Sequence, residues 1–126
     1  MPVCPFCSFD RTKIRIENDL VFTIRDGFPL SPGHTLILPK RHVLSFFETT
    51  KNEQRALLGA LHQERNELTG EFSPDGFTIG INDGPAAGQT VPHLHIHLIP
   101  RYKGDVADPR GGIRWAIPDK AVYWQG

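Results

Sequence analysis

The sequence predicts an α+β domain: an antiparallel sheet with one main helix packed on it and a second, short helical segment. Three observations lead there. Runs rich in β-branched and aromatic residues occur at 20–25, 34–38, 77–82 and 91–100, each bounded by Gly, Pro or Asp turn chemistry. A single stretch of helical periodicity, residues 50–70, separates the second run from the third. The last run alternates histidine with aliphatic residues, the pattern of a strand with two unlike faces.

The first run, Leu-Val-Phe-Thr-Ile-Arg, ends in the turn Asp26-Gly27-Phe28-Pro29. A second turn at Ser31-Pro32-Gly33 opens the next run, which Pro39 stops, so the two are expected to pair as antiparallel neighbours. Residues 43–47 have room for a short helical turn. Thr50-Lys51-Asn52-Glu53 fits a capping box, the Thr hydroxyl accepting from the Glu53 amide and the Glu carboxylate reaching back. From there Leu57, Ala60, Leu61, Glu64 and Leu68 follow helical spacing, with only Glu64 breaking the apolar stripe and Gly70 standing where a C-terminal cap belongs. Asp83-Gly84-Pro85-Ala86-Ala87-Gly88 is a turn-rich loop leading through Gln89-Thr90 into the last run. Beyond about residue 102 the chain reads as an ordered extension whose Trp115 and Trp124 dock on the body or on a second subunit.

A chain of 126 residues suits one domain, taken as 1–126. Lys+Arg and Asp+Glu both number 14, so no overall field marks a binder of nucleic acid or of an anionic membrane. No stretch approaches the ~18 consecutive apolar residues of a membrane span, and the first residues lack signal-peptide character, so a cytoplasmic location is expected. The two cysteines, Cys4 and Cys7, form a C-x-x-C pair, which in a reducing compartment points to a metal knuckle or a redox dithiol before a disulfide. The redox reading lacks the preceding strand and following helix of a thioredoxin-like site. Zinc is therefore favoured.

The chemistry is concentrated in Val91-Pro92-His93-Leu94-His95-Ile96-His97-Leu98-Ile99-Pro100. On a strand the three histidines share one face, with neighbours roughly 6.5 Å apart, and the aliphatic residues back them from the other. Neutral imidazole is a good nucleophile toward phosphorus, provided one ring nitrogen offers a lone pair while the other keeps its proton against an acceptor such as a backbone carbonyl. Neighbouring histidines and amides can then bind the non-bridging oxygens as charge builds. Two other readings compete: a polar strand face without chemistry, and a catalytic zinc held by two histidines at i and i+2 plus a further ligand. Three histidines in strict alternation after a glycine-rich loop weigh against the first.

Residues 88–100 resemble the signature of the histidine triad (HIT) family, His-φ-His-φ-His-φ-φ with φ apolar, and the match is complete. Supporting segments stand in the family's order: Asp26 after the first strand, Pro32-Gly33-His34, Pro39-Lys40-Arg41-His42, and Asn82-Asp83-Gly84. Together they span most of residues 1–101. Gln89-Thr90 and the Asn-Asp-Gly-Pro loop are similar to the dinucleoside polyphosphate hydrolase branch, although nucleoside phosphoramidases share nearly all of these features. The tail from Gly104 resembles bacterial members.

The resemblance implies a HIT-like fold with a five-stranded antiparallel sheet, and a two-fold homodimer. It implies hydrolysis or nucleotidyl transfer at the α-phosphate of a nucleotide conjugate, releasing a nucleoside monophosphate. His95 would be the nucleophile and His97 would contact phosphate oxygens. Gln89 and Thr90 would hydrogen-bond the phosphate and leaving group, Asn82 would assist there, and Asp26 would take the ribose hydroxyls. From chemistry alone, Asp26 and Asn82 read equally as turn residues. The resemblance further nominates Cys4, Cys7, His42 and His93 as a closed structural zinc site. Mg²⁺ is an optional companion of a polyphosphate substrate. His34 is expected to partner the triad and His62 to face solvent. The competing classes are a zinc hydrolase with the metal on the triad, and a nucleotide-binding protein without turnover.

Overall fold

A computed structural model describes residues 4–124. Strands β1 (Val21–Arg25), β2 (Thr35–Pro39), β3 (Gly76–Gly80) and β4 (Ile96–Arg101) form one antiparallel sheet in the order β1-β2-β4-β3. In register, Ile24 faces Leu36, Leu36 faces His97, and His97 faces Gly80 across the sheet.

The expected fifth strand is not completed. Residues 15–18 fold back on β1 through Arg15 N–H to Thr23 O (2.9 Å) and Thr23 N–H to Ile16 O (2.9 Å), with an isolated bridge between Glu17 and Phe22. The Asn18 carboxamide oxygen then accepts from the amides of Leu20 and Val21 (2.8 and 2.9 Å). That side chain closes a tight turn before a ladder can lengthen. The histidine run is also a shorter strand than its alternation predicts, starting only at Ile96. Pro92 has no N–H to give, and the His93 amide turns to Val91 O (2.8 Å), so pairing cannot extend back to the first two histidines. Burial nonetheless alternates from Leu94 to Leu98.

One helix, α1 (Lys51–Phe72), covers one face of the sheet. Its capping box forms as expected, with Glu53 N–H donating to Thr50 Oγ1 (3.0 Å) and Thr50 N–H to Glu53 Oε1 (2.8 Å). It does not stop at Gly70. It continues to Phe72 and caps on Ser73, in the left-handed region at φ 49°, whose N–H reaches Thr69 O. The two extra residues carry Phe72 onto Gly33, where a Cβ would lie 2.8 Å from Leu68 and 3.0 Å from Phe72. Gly33, at φ +90°, is thus the residue that lets the helix approach the turn before β2. The second helical segment is a 3-10 turn at Phe46–Glu48, capped by Ser45.

Alternation sorts the sheet's side chains into two clusters. On the helix side Val21, Ile37, Ile96 and Leu98 pack with Leu57, Ala60 and Leu68. Glu64, the break in the helical stripe, is fully buried there and accepts from Arg15 Nε at 3.3 Å, with the Arg25 guanidinium 3.9 Å away. On the opposite side Phe22, Ile24, Leu36 and Leu38 form a smaller cluster, covered by Phe6, Phe9 and Ile14 of the N-terminal segment. The tail packs largely on itself: Arg110 lies over Trp124 and Arg114 over Tyr123, each 4.6 Å from the ring centre.

Candidate active site

The three histidines of the run do not all carry their protons on the same nitrogen: His95 holds it on Nδ1, His93 and His97 on Nε2, and the hydrogen-bond partners decide which. A backbone carbonyl only accepts and an amide N–H only donates, so each bond to the main chain fixes a tautomer. His95 Nδ1 lies 2.8 Å from His93 O, so Nδ1 holds the proton. Neutral His95 therefore presents its lone pair at Nε2. His34 works the other way: Leu30 N–H donates to its Nδ1 (3.0 Å), which leaves the proton on Nε2. That nitrogen is 2.9 Å from His97 Nδ1, so His97 accepts there and keeps its own proton on Nε2. The result is a nucleophilic nitrogen on His95 beside an N–H donor on His97, with ring centres 5.0 Å apart.

Burial holds His97 neutral, pushing its pKa down to about 4, and any positive charge on His95 or His34 would add to this; the Asp26 carboxylate opposes it only in part. Burial likewise lowers His34, against the pull of Asp26. Asp26 Oδ2 stands 3.4 Å from His34 Nε2 and 3.9 Å from His97 Nδ1, while its Oδ1 accepts from Phe28 N–H (2.8 Å). The carboxylate is thereby oriented, with lone pairs to spare for further donors.

His95 and His97 open onto a cavity of about 560 Å³. Asp26 contributes the one carboxylate among its described lining residues, and Lys13 and Arg25 the cations. Phe6, Phe9, Phe28 and Leu36 supply apolar wall. Asn82, Gln89 and Thr90 also line it, so every candidate substrate-binding residue faces one space. Gln89 is already engaged: its Oε1 accepts from Gly84 N–H (2.9 Å), and its amide donates to Leu44 O and Val91 O (3.0 and 3.2 Å). Its side chain braces the loop that carries Thr90. No local signal along the chain announces the walls from Phe6, Phe9 and Lys13, because only folding brings residues 5–13 across to the histidines.

His93 faces away from this cavity. Its Nε2 donates to Pro39 O (2.9 Å), which leaves the lone pair on Nδ1, 3.4 Å from Cys4 Sγ and 3.6 Å from Cys7 Sγ. Cys7 Sγ is 3.1 Å from His42 Nδ1, and the four ligand atoms lie within 4.8 Å of one another. In a tetrahedral zinc site, with bonds of about 2.3 Å to sulfur and 2.0–2.1 Å to nitrogen, sulfur and nitrogen sit roughly 3.5 Å apart. The donor set and spacing fit zinc, and a ligating imidazole anchored by its other N–H to a carbonyl is the usual arrangement. A second group, Asp26, His34 and His97, also clusters. It is less suited to a metal, because Leu30 N–H holds His34 with its proton on the nitrogen that would ligate. Among the described residues, His93, His95 and His97 do not form a group with ligand atoms within 4.8 Å of one another.

A HIT domain model matches residues 10–104. The chain belongs to the HIT family. It is 35% identical over 104 residues to the uncharacterised HIT-like protein MG132 of Mycoplasma genitalium, an alignment covering 79% of this chain and 74% of that one. It is 39% identical over 100 residues to the bis(5'-adenosyl)-triphosphatase of Saccharomyces cerevisiae; there the match covers 78% of this chain but only 45% of the yeast protein. Among solved structures, a Zn-bound histidine triad family protein from Mycobacterium smegmatis superposes with a TM-score of 0.68 at 32% identity, covering 75% of this chain and 69% of that one. Among the described residues of this HIT protein, no helix is long and apolar enough to cross a membrane.

Proposed function

We propose that this HIT protein is a nucleotide hydrolase acting at the α-phosphate of a nucleotide conjugate, with His95 as nucleophile. The observation that carries the reading is the His95 Nδ1–H bond to His93 O, which leaves Nε2 free on the cavity side of a donor-bearing His97. In the first step the Nε2 lone pair forms a bond to phosphorus as the bond to the leaving group breaks, and the leaving group departs with the electron pair, a polyphosphate as its anion and an amine with a proton taken up from solvent. Nδ1 keeps its proton, and its carbonyl partner stabilises the cationic ring of the adduct. Water then attacks phosphorus, the P–N bond breaks, the ring recovers its lone pair, and a nucleoside monophosphate is released with a proton to solvent. His97 Nε2–H is positioned to meet a non-bridging oxygen as charge builds. Asp26 would accept the ribose hydroxyls, and Thr90 and Asn82 would meet the phosphate or leaving group, with Gln89 supporting the loop beneath them.

The likeness to the yeast triphosphatase supports dinucleoside polyphosphates as one substrate class, and phosphoramidates are the other. Mg²⁺ would come with a polyphosphate chain rather than be held by this pocket, where Asp26 is the one described carboxylate. Cys4, Cys7, His42 and His93 would hold a structural zinc, which would tie the N-terminal segment to the back of the histidine run. A homodimer would draw on the outer edge of β3, where Ile79 is exposed.

The test is to incubate the chain with an α-labelled adenylate donor, quench, and look for acid-labile protein-bound nucleotide. Wild type should carry label and His95→Ala none. Label that persists in His95→Ala overturns the reading. A triad-held catalytic zinc would instead lose all turnover immediately on chelation, and a pure binding protein would retain nucleotide without adduct or product.

A further inference from the structure

We propose that Phe6 is a positioning residue for the His95 imidazole, delivered to it by closure of the Cys4–Cys7 knuckle on its metal. The proposal rests on the reading of His95 as nucleophile. Phe6 lies between the two thiols in sequence, in a turn closed by Cys7 N–H and Ser8 N–H to Cys4 O (3.1 and 3.2 Å). So short a span leaves the ring little freedom once both sulfurs are bound. Its ring meets His95 at 5.2 Å between centres and 65° between planes, and meets His93, a knuckle ligand, at 5.9 Å and 88°. Both are edge-type contacts of the kind aromatic pairs favour.

Besides Phe6, His95 has one hydrogen bond among the described residues and an edge contact with the His97 ring on one side at 5.0 Å, and the second side-chain torsion of histidine is intrinsically broad. One bond at Nδ1 and one ring neighbour leave the imidazole able to rock away from His97, carrying Nε2 off the line of attack. The Phe6 contact restricts that rocking. The same knuckle acts through a second route, since the carbonyl that anchors His95 belongs to His93. Pro5, Phe9 and Lys13 line the cavity alongside Phe6, so the segment the knuckle holds is also a pocket wall. Phe9 provides a contrast: its ring packs on Phe22 at 6.4 Å rather than on a histidine.

The test uses the full chain loaded with one equivalent of zinc, with adenosine 5'-phosphoramidate as donor. Phe6→Leu keeps apolar bulk and removes the ring; Phe6→Tyr keeps the ring. Phe6→Leu should retain its zinc and bind AMP within about twofold of wild type, yet form adduct at saturating donor about tenfold more slowly, the scale expected of a misaligned nucleophile. Phe6→Tyr should recover most of that loss, and Phe9→Leu should change KM rather than the adduct step. Independently of turnover, the His95 ring C–H signals in NMR should move in Phe6→Leu, and removing zinc from wild type should move them the same way. Wild-type adduct rates in Phe6→Leu, no rescue by Phe6→Tyr, or His95 signals indifferent to both changes would overturn the proposal. Should wild type form no adduct at all, the nucleophile reading fails instead, and the NMR comparison alone decides whether Phe6 positions the ring.

Discussion

The two faces of the sheet are closed by unlike means. One is covered by 22 residues of α1, whose Leu57 and Leu68 are fully buried against β-strand partners. The other carries a smaller cluster covered by Phe6, Phe9 and Ile14, from a segment with one short 3-10 turn at Arg11–Lys13 and a pair of thiols. A long amphipathic helix closes a face by burial alone. A short irregular segment cannot do so as well, and here it is tethered through a Cys/His cluster instead. His95 and His97 project from the second face, so the cavity has one wall of sheet and one wall of tethered loop.

This contrast predicts that substitutions on the pocket face change chemistry and those on the helix face change stability. The largest effect belongs to His95→Ala, expected to lower turnover on the order of 10⁶-fold, the scale of losing a covalent nucleophile, while leaving the urea unfolding midpoint near wild type. Next comes Leu57→Ala, expected to cost about 2–5 kcal/mol in urea unfolding with AMP affinity of the folded fraction intact. If it altered the adduct step instead, the division between faces would be wrong.

His34→Ala is expected to slow adduct formation about 10–100-fold, because His97 would lose the donor that keeps its proton on Nε2. NMR titration should accompany it. With its pKa depressed to about 4, wild-type His97 stays neutral from pH 8 down to about 5. Since the native state there binds fewer protons than the unfolded chain, that contribution to stability is full above about pH 6.5 and fades as pH falls toward 4. The smallest effect concerns the start of α1. The Arg41 guanidinium, bonded to Glu53 at 2.8 and 3.1 Å, is the main cause holding that carboxyl at about 2, with the Thr50 amide assisting and burial opposing. The resulting stability is present above about pH 4.5 and is lost as pH drops toward 2. Glu53→Gln should flatten the acid limb of the stability profile by about 1 kcal/mol without touching the adduct rate.

Local signals determined a good deal by themselves. The capping box at Thr50 and Glu53 needs only residues three apart, and it forms as written. The His/aliphatic alternation needs only the two-residue period of extended chain, and burial follows it from Leu94 to Leu98 even where β4 has not yet begun. Turn chemistry at Asp26-Gly27 and Pro32-Gly33 separated β1 from β2 correctly. What failed had one local cause and one distant one. Asn18 closed a local turn that keeps residues 15–18 from pairing as a fifth strand, and the packing of Phe72 on Gly33, far back along the chain, carried α1 past Gly70. For the site, residue types and order along the chain nominated the cysteines and histidines. Only the tertiary structure decided which imidazole nitrogen is free, because that depends on whether Leu30 N–H, His93 O or Pro39 O stands behind the ring. The wall that Phe6 and Phe9 form beside His95 belongs to the same class: residues nearly ninety positions apart meet there, and no periodicity records such a meeting.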